Sequence, residues 1–235
     1  MACKGNKMSR EKQLVKNTLI YMIGNFASRF LGFLLLPLYT HYLTKTGLGD
    51  YDVIITTITI IIPVITLQIN DSLYRYLLDS HSSADTERVI SNSVFVTAGG
   101  MAFLCIGFVV FMRFQVLASP MLLLLYIIVT VLSGLWQQIA RGLKGNVVYS
   151  VAGVLFTVVT LLSNILLIAF FKMQVDALFI SNIAASLAMI VYIESKLKIV
   201  GYIKKKYFET SFIRELIQYS APLLPNALNW WIISA

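Results

Sequence analysis

An all-α, polytopic transmembrane helix bundle of about seven spans is the fold class this 235-residue chain predicts. Three observations lead to it. Hydrophobic residues make up 58% of the chain and charged residues 13%, against about 25% charged in a soluble domain. Long runs without charge recur at regular intervals, each near the ~20 residues a helix needs to cross a bilayer. Lys and Arg are sorted between alternate connections, as in proteins that obey the positive-inside rule.

The elements follow in order. The segment Asn17–Leu43 is apolar apart from Arg29 near its middle. Charge-free runs then extend over Val53–Asn70, Val89–Met112, Phe114–Ala140, Gly145–Phe171, Ala177–Ile193 and Leu216–Ala235. The organisation expected is a basic cytoplasmic tail (1–16), a six-helix transmembrane bundle (17–198), a cytoplasmic connector (199–213) and a truncated seventh helix (214–235). The stretch Lys196–Lys206 is expected to continue a helix out of the membrane, its lysines forming a solvated or lipid-contacting face. Because the last run reaches Ala235 without a flanking loop, the sequence reads as the first part of a longer fold. The segment after the basic tail is long, holds Arg29 and lacks an A-x-A site, so it reads as an uncleaved helix rather than a signal peptide.

Net charge is +8, but its distribution points away from nucleic acid. With the N-terminus inside and a crossing at each run, fifteen of the nineteen Lys and Arg fall on inside connections. Three, Lys45, Arg113 and Lys172, fall outside, and Arg29 lies within a span. The basic balance therefore reports orientation and contact with anionic lipid. Cys3 lies in the tail and Cys105 inside a span, so no disulfide is expected.

Polar residues inside the spans carry the functional information. Thr56, Thr59, Pro63, Thr66 and Asn70 recur at steps of three and four and are expected on one helix face. So do Ser150, Gly153, Thr157, Thr160 and Asn164, and Thr130, Gly134, Gln137 and Arg141. Polar groups facing lipid are expensive, so these faces must meet other helices or water. Helix–helix adhesion explains any one Ser/Thr/Gly stripe; several aligned stripes with Asn and Gln suggest a shared polar cavity. Arg29, with Asn25 one turn before it, is the sharpest feature. A guanidinium stays charged and costs at least ~3 kcal/mol at the bilayer centre. It must meet a carboxylate such as Asp71 or Asp52, or an anion in an aqueous cavity, and its planar fork suits phosphate. Pro37, Pro63 and Pro222 free helix carbonyls and are hinge or static-kink candidates.

The run Ser28-Arg29-Phe30-Leu31-Gly32-Phe33, then Pro37-Leu38-Tyr39 and Leu43 to Asp52, resembles the first helix and first outside loop of O-antigen- and capsule-type polysaccharide flippases. These belong to the multidrug/oligosaccharidyl-lipid/polysaccharide exporter superfamily. Asp71-Ser72-Leu73-Tyr74-Arg75-Tyr76 resembles the end of their second helix. Gln218 to Asn226, with Trp230-Trp231-Ile232, resembles the seventh, which opens the second half of that fold. The Ser-Arg-x-Leu-Gly-Phe run is also similar to the lipid II flippase branch, where the arginine lines the central cavity; Leu35 stands where that branch has a second arginine. The resemblance implies a V-shaped transporter of two pseudo-symmetric bundles, of which this chain supplies the N-terminal one. It implies translocation of an undecaprenyl-diphosphate-linked oligosaccharide by alternating access, coupled to a proton or sodium gradient, with the bilayer and the lipid-linked oligosaccharide as partners. No cofactor, metal or catalytic residue is implied. The cavity candidates are Arg29, Asn25, Thr59, Asn70, Arg75, Gln137 and Asn164. Two other readings stay open: a multidrug exporter of the same superfamily, which would favour a buried acid in the first helix, and a polytopic enzyme of polysaccharide assembly, which would need a large outside loop.

Overall fold

The computed structural model describes residues 35–112 and 119–234. Every element it describes is helical. The described end of the first helix, α1, covers 35–42. Then follow α2 (Lys45–Thr66), α3 (Ile69–Leu78), α4 (Ser83–Met112), α5 (Pro120–Gly142) and α6 (Asn146–Asn164), which runs into a π-helical turn at Ile165–Phe170. The chain continues through α7 (Asp176–Leu197), α8 (Thr210–Ser220) and α9 (Leu224–Ser234). Among the described residues five helical stretches are long and apolar enough to cross a membrane: Lys45–Thr66, Ser83–Val109, Pro120–Gly142, Asn146–Phe170 and Asp176–Leu197. The first expected span lies mostly outside the described residues, as does the expected loop at Arg113–Val116.

The expected run Val53–Asn70 is two helices, not one. Thr44 caps the start of α2, its Oγ1 accepting the Gly47 N–H at 3.1 Å. The helix passes through Pro63 and closes three residues later. Gln68 N–H donates to the Pro63 carbonyl at 3.1 Å and Leu67 N–H to that of Val64 at 3.3 Å, a Schellman-type ending. Leu67 and Gln68 both adopt the left-handed region, with φ of 51° and 53°. The strand of polar positions therefore divides: Thr56, Thr59 and Thr66 stay on α2, and Asn70 belongs to α3.

Two further boundaries differ from expectation. Lys196–Lys206 does not continue a helix outward, because Lys198 turns left-handed at φ 50° and two short 3-10 turns follow. The last apolar run is interrupted by Pro222: α8 ends at Ser220, a 3-10 turn covers Ala221–Leu223, and α9 restarts at Leu224. Proline at the start of that turn removes a donor the α-helix would need. The amphipathic α8 also takes in residues 210–213, which the sequence assigned to the connector.

The helices pack in a closed order. α7 lies against both α5 and α6, α3 against α4, α5 and α8, and α2 against α4 and α9. The largest core collects where α3, α4, α5, α7 and α8 meet, around Leu73, Ile90, Ile139, Ile193, Ile199 and Leu216. Leu43, Ile168 and Leu178 form a second cluster at the opposite end of the bundle. At one crossing the backbones touch: a Cβ added at Gly100 would run into the Ile65 carbonyl. Elsewhere large apolar side chains face outward, Phe103 at 75% exposed, Val191 at 68% and Phe170 at 76%. An apolar outer belt around a core containing buried Ser, Thr and Asn is the pattern a lipid solvent requires.

Several buried hydroxyls are satisfied within their own helices, while those of Ser93, Ser181 and Ser220 have no partner among the described residues. Thr97 donates to Ser93 O at 2.9 Å, Ser150 to Asn146 O at 2.9 Å, Thr157 to Gly153 O at 2.8 Å and Ser133 to Thr130 O at 2.9 Å. Back-bonded in this way they can lie at helix contacts without an unpaired donor.

Candidate functional site

α3 is short and strongly two-sided. Ile69, Leu73 and Leu77 recur every four residues and are buried in the main core. Asn70, Asp71 and Tyr74 lie beside them at i, i+1 and i+4, which brings them to the flank of the helix that meets α5. On α5, Gly134 and Arg141 face it. Gly134 makes room for Asn70, whose Nδ2 lies 3.8 Å from where a Cβ would stand. One turn further on, the Arg141 guanidinium sits 4.3 Å from the centre of the Tyr74 ring, a cation–π contact. Desolvation lifts the Asp71 carboxyl above its ordinary value, and the nearby Arg141 charge pulls it back down. Asn70, Asp71, Tyr74, Gly134 and Arg141 thus form one polar face at the end of the bundle. Its guanidinium can offer paired donors to an anion, and its amide and carboxylate can hydrogen-bond sugar hydroxyls.

The remaining sequence candidates are placed separately. Gln137 is half-buried and donates to Met189 Sδ at 3.1 Å, linking α5 to α7. Asn164 is fully buried; its Nδ2 donates to the Tyr39 hydroxyl at 2.9 Å, tying α6 to α1, while its Oδ1 is buried without a partner. It stands where α6 passes into the π-helical turn, a local widening found often at functional positions. Thr59 is exposed on α2 and donates to Thr56 O at 2.7 Å. Arg75 is exposed and paired with Asp79 at 3.1 Å, an i,i+4 bridge on the outer side of α3. Pro37 lies in α1, Pro63 in the last turns of α2 and Pro222 in the turn between α8 and α9. Arg29 and Asn25 lie outside the described residues.

Four members of the α3–α5 face, Asp71, Tyr74, Gly134 and Arg141, are not among the cavity candidates; only Asn70 is. Arg141 stood in the sequence stripe with Gln137 and Gly134, so a signal existed; its position near the end of a span made it read as an orienting charge. Tyr74 carried no signal beyond its motif.

A further polar arrangement holds the connector. Ser91 and Asn92, on the first half of α4, are completely buried. Ser91 Oγ donates to Tyr202 O at 3.1 Å and accepts the Lys204 N–H at 2.9 Å. Asn92 donates to Tyr207 O at 2.8 Å and accepts the Glu209 N–H at 3.0 Å. Arg88 pairs with Glu209 at 2.9 Å and covers the Phe212 ring at 4.2 Å. The Ser211 hydroxyl and Arg88 together hold the Glu209 carboxyl below its ordinary value.

Compared with known proteins, this helical chain fits the family model described as polysaccharide biosynthesis protein over residues 14–234. The chain belongs to that family. Neither a curated protein nor a solved structure matched it. A polysaccharide biosynthesis protein built from spanning helices acts at the bilayer, where the lipid-linked sugars of such pathways reside. Its α3–α5 face is a described polar feature available to such a molecule, whereas the Tyr39–Asn164 junction holds a fully buried amide.

Proposed function

We propose that this chain is a flippase-type transporter of the multidrug/oligosaccharidyl-lipid/polysaccharide exporter superfamily. Residues 17–198 make up its first bundle. It moves an undecaprenyl-diphosphate-linked oligosaccharide across the cytoplasmic membrane by alternating access, and carries out no bond chemistry of its own. The observation that supports this reading is a polysaccharide biosynthesis family match spanning residues 14–234 of a chain with at least five spanning-length helices. A lipid-borne glycan must cross a membrane before it can be assembled outside, and a multi-span bundle with polar groups between its helices supplies such a path.

In this reading Arg29 binds the diphosphate and Arg141 contributes cationic character at the α3–α5 end. Asn25, Thr59, Asn70, Gln137 and Asn164 line the route, Arg75 stands at its rim, and a proton or sodium gradient drives the cycle. The unpartnered Asn164 oxygen beside the Tyr39 hydroxyl is compatible with such a cation.

Surface-glycan display in cells carrying Arg29→Ala tests the proposal. The glycan should be lost while the protein remains in the membrane at near-normal level. Arg29→Lys should restore it only in part, because a point charge lacks the bidentate fork. Normal display with Arg29→Ala would remove the diphosphate role.

A further inference from the structure

The connector between α7 and α8 is held rigidly and presents an unbalanced charge. The acids in and around it are already engaged. Glu194 accepts the Trp136 indole N–H at 3.0 Å and the Val200 N–H at 3.1 Å. Glu209 is taken by Arg88 and Ser211, and Glu87 of α4 by Lys204. Lys198, Lys205 and Lys206 remain exposed, with no carboxylate paired to them among the described residues. Two large apolar side chains stand among these lysines and are also exposed, Val200 at 57% and Phe208 at 56%. Phe208 keeps one edge against Phe95 of α4, ring centres 5.3 Å apart, so it is fixed while its other side is bare.

The location matters as much as the composition. The connector begins directly after α7, a spanning-length helix, and Ser91 and Asn92 fasten it to the first turns of α4, another. It is therefore held at the boundary where the hydrocarbon ends and the headgroups begin. A surface with ammonium groups that have no carboxylate paired to them (Lys206 lying over the Tyr207 ring, 4.6 Å from its centre), bare apolar side chains and fixed position at that boundary complements a negatively charged lipid surface. The ammonium groups meet the phosphates, and Val200 and Phe208 enter the acyl boundary. A soluble acidic partner would use the lysines but leave the two apolar groups in water.

We propose that the Lys198–Phe208 segment is a binding site for anionic phospholipid headgroups, which anchors the connector and the amphipathic α8 behind it at the membrane surface. This holds whether or not the protein moves a glycan. The occupant is the phosphodiester of a bilayer lipid, not free phosphate or the substrate diphosphate.

Native mass spectrometry of the purified chain in a neutral detergent provides the test, with phosphatidylglycerol titrated against phosphatidylcholine. Wild type should bind phosphatidylglycerol preferentially. Each lysine near a lipid surface is worth about five-fold in affinity, so Lys205→Gln with Lys206→Gln should lower that preference about 25-fold. Lys205→Arg with Lys206→Arg should keep it, and Lys45→Gln, at the start of α2, should leave it unchanged. The proposal is overturned if the double Gln variant keeps its preference, if the double Arg variant loses it, or if Lys45→Gln abolishes it equally. Displacement of the lipid by inorganic phosphate or by an isoprenyl diphosphate at equal concentration would overturn it as well, by assigning the segment to another anion.

Discussion

Single polar side chains in this bundle have very different weights, and their partners decide which matter. Asn92 is fully buried and joins two backbone groups of the connector, Tyr207 C=O and Glu209 N–H. Asn92→Ala leaves both without that partner, at a cost of about 2–3 kcal/mol. Thr97 is equally buried, but its hydroxyl only shares the Ser93 carbonyl with its own helix. Thr97→Val should cost less than about 1 kcal/mol. Thermal unfolding of the two variants in the same detergent checks the contrast; equal losses would refute the clamp. Glu209 gives the clamp a pH dependence. Its folded carboxyl titrates below its unfolded value, so its contribution is complete above the unfolded value and lost as pH falls through the lower folded one. Accessibility of the connector to protease should therefore rise on acidification below the ordinary glutamate range. Glu209→Gln should weaken docking at neutral pH and reduce that acid limb, leaving the part carried by Glu87, which Lys204 holds below its ordinary value.

Between elements, the crossing of α2 and α4 is the tightest described contact that a single methyl would disturb. A side chain at Gly100 meets the Ile65 carbonyl, which belongs to backbone and cannot rotate away. Gly99, its neighbour, has nothing within 4 Å of an added Cβ. Gly100→Ala should thus destabilise by about 1–3 kcal/mol through forced separation of the helices. Gly99→Ala should stabilise by about 0.5–1 kcal/mol through helix propensity. Opposite signs at adjacent positions, read as shifts in the unfolding midpoint, are the expected result; the same sign at both would mean the helices do not touch there. The break between α2 and α3 is the other element-scale feature. Leu67 and Gln68 hold left-handed backbone without glycine, at about 1–2 kcal/mol each. That strain persists because α3 buries Ile69, Leu73 and Leu77 in the main core immediately afterwards.

Across the whole molecule, the apolar belt and the sorting of charge set how the bundle sits in a bilayer. From the positive-inside bias we propose that the N-terminus and the connector face the cytoplasm and that the start of α2, Lys45–Asp50, lies outside. With the native cysteines replaced, single cysteines at Thr46 and at Lys205 can be exposed to an impermeant thiol reagent in intact cells. Thr46→Cys should react and Lys205→Cys should not. The reverse pattern would invert the protein and move the lysine-rich connector to the opposite leaflet.

The sequence alone determined that the chain is helical, that it is built from spans and roughly where five of the seven expected spans lie. Those properties are local: a bilayer offers no hydrogen bonds to an open backbone, so each crossing must be a continuous apolar helix, which composition reveals. The sequence also marked the polar positions and, through its motifs, the family. Only the tertiary structure decided which of these positions meet. Asn70 looked like the last member of the α2 stripe, but the break at Leu67–Gln68 carried no glycine to announce it, and the residue turned to Gly134 of α5. Ser91 and Asn92 looked like ordinary small polar residues at a helix start. Their partners Tyr202 and Tyr207 are 111 and 115 residues away, beyond the reach of any periodicity. Pro222 was visible as a breaker, yet that the helix before it lies on α3 and α4 depended on Phe212 and Leu216 finding the core. Contacts between distant segments are set by packing and by satisfying buried polar groups, and neither can be read from a window of neighbouring residues.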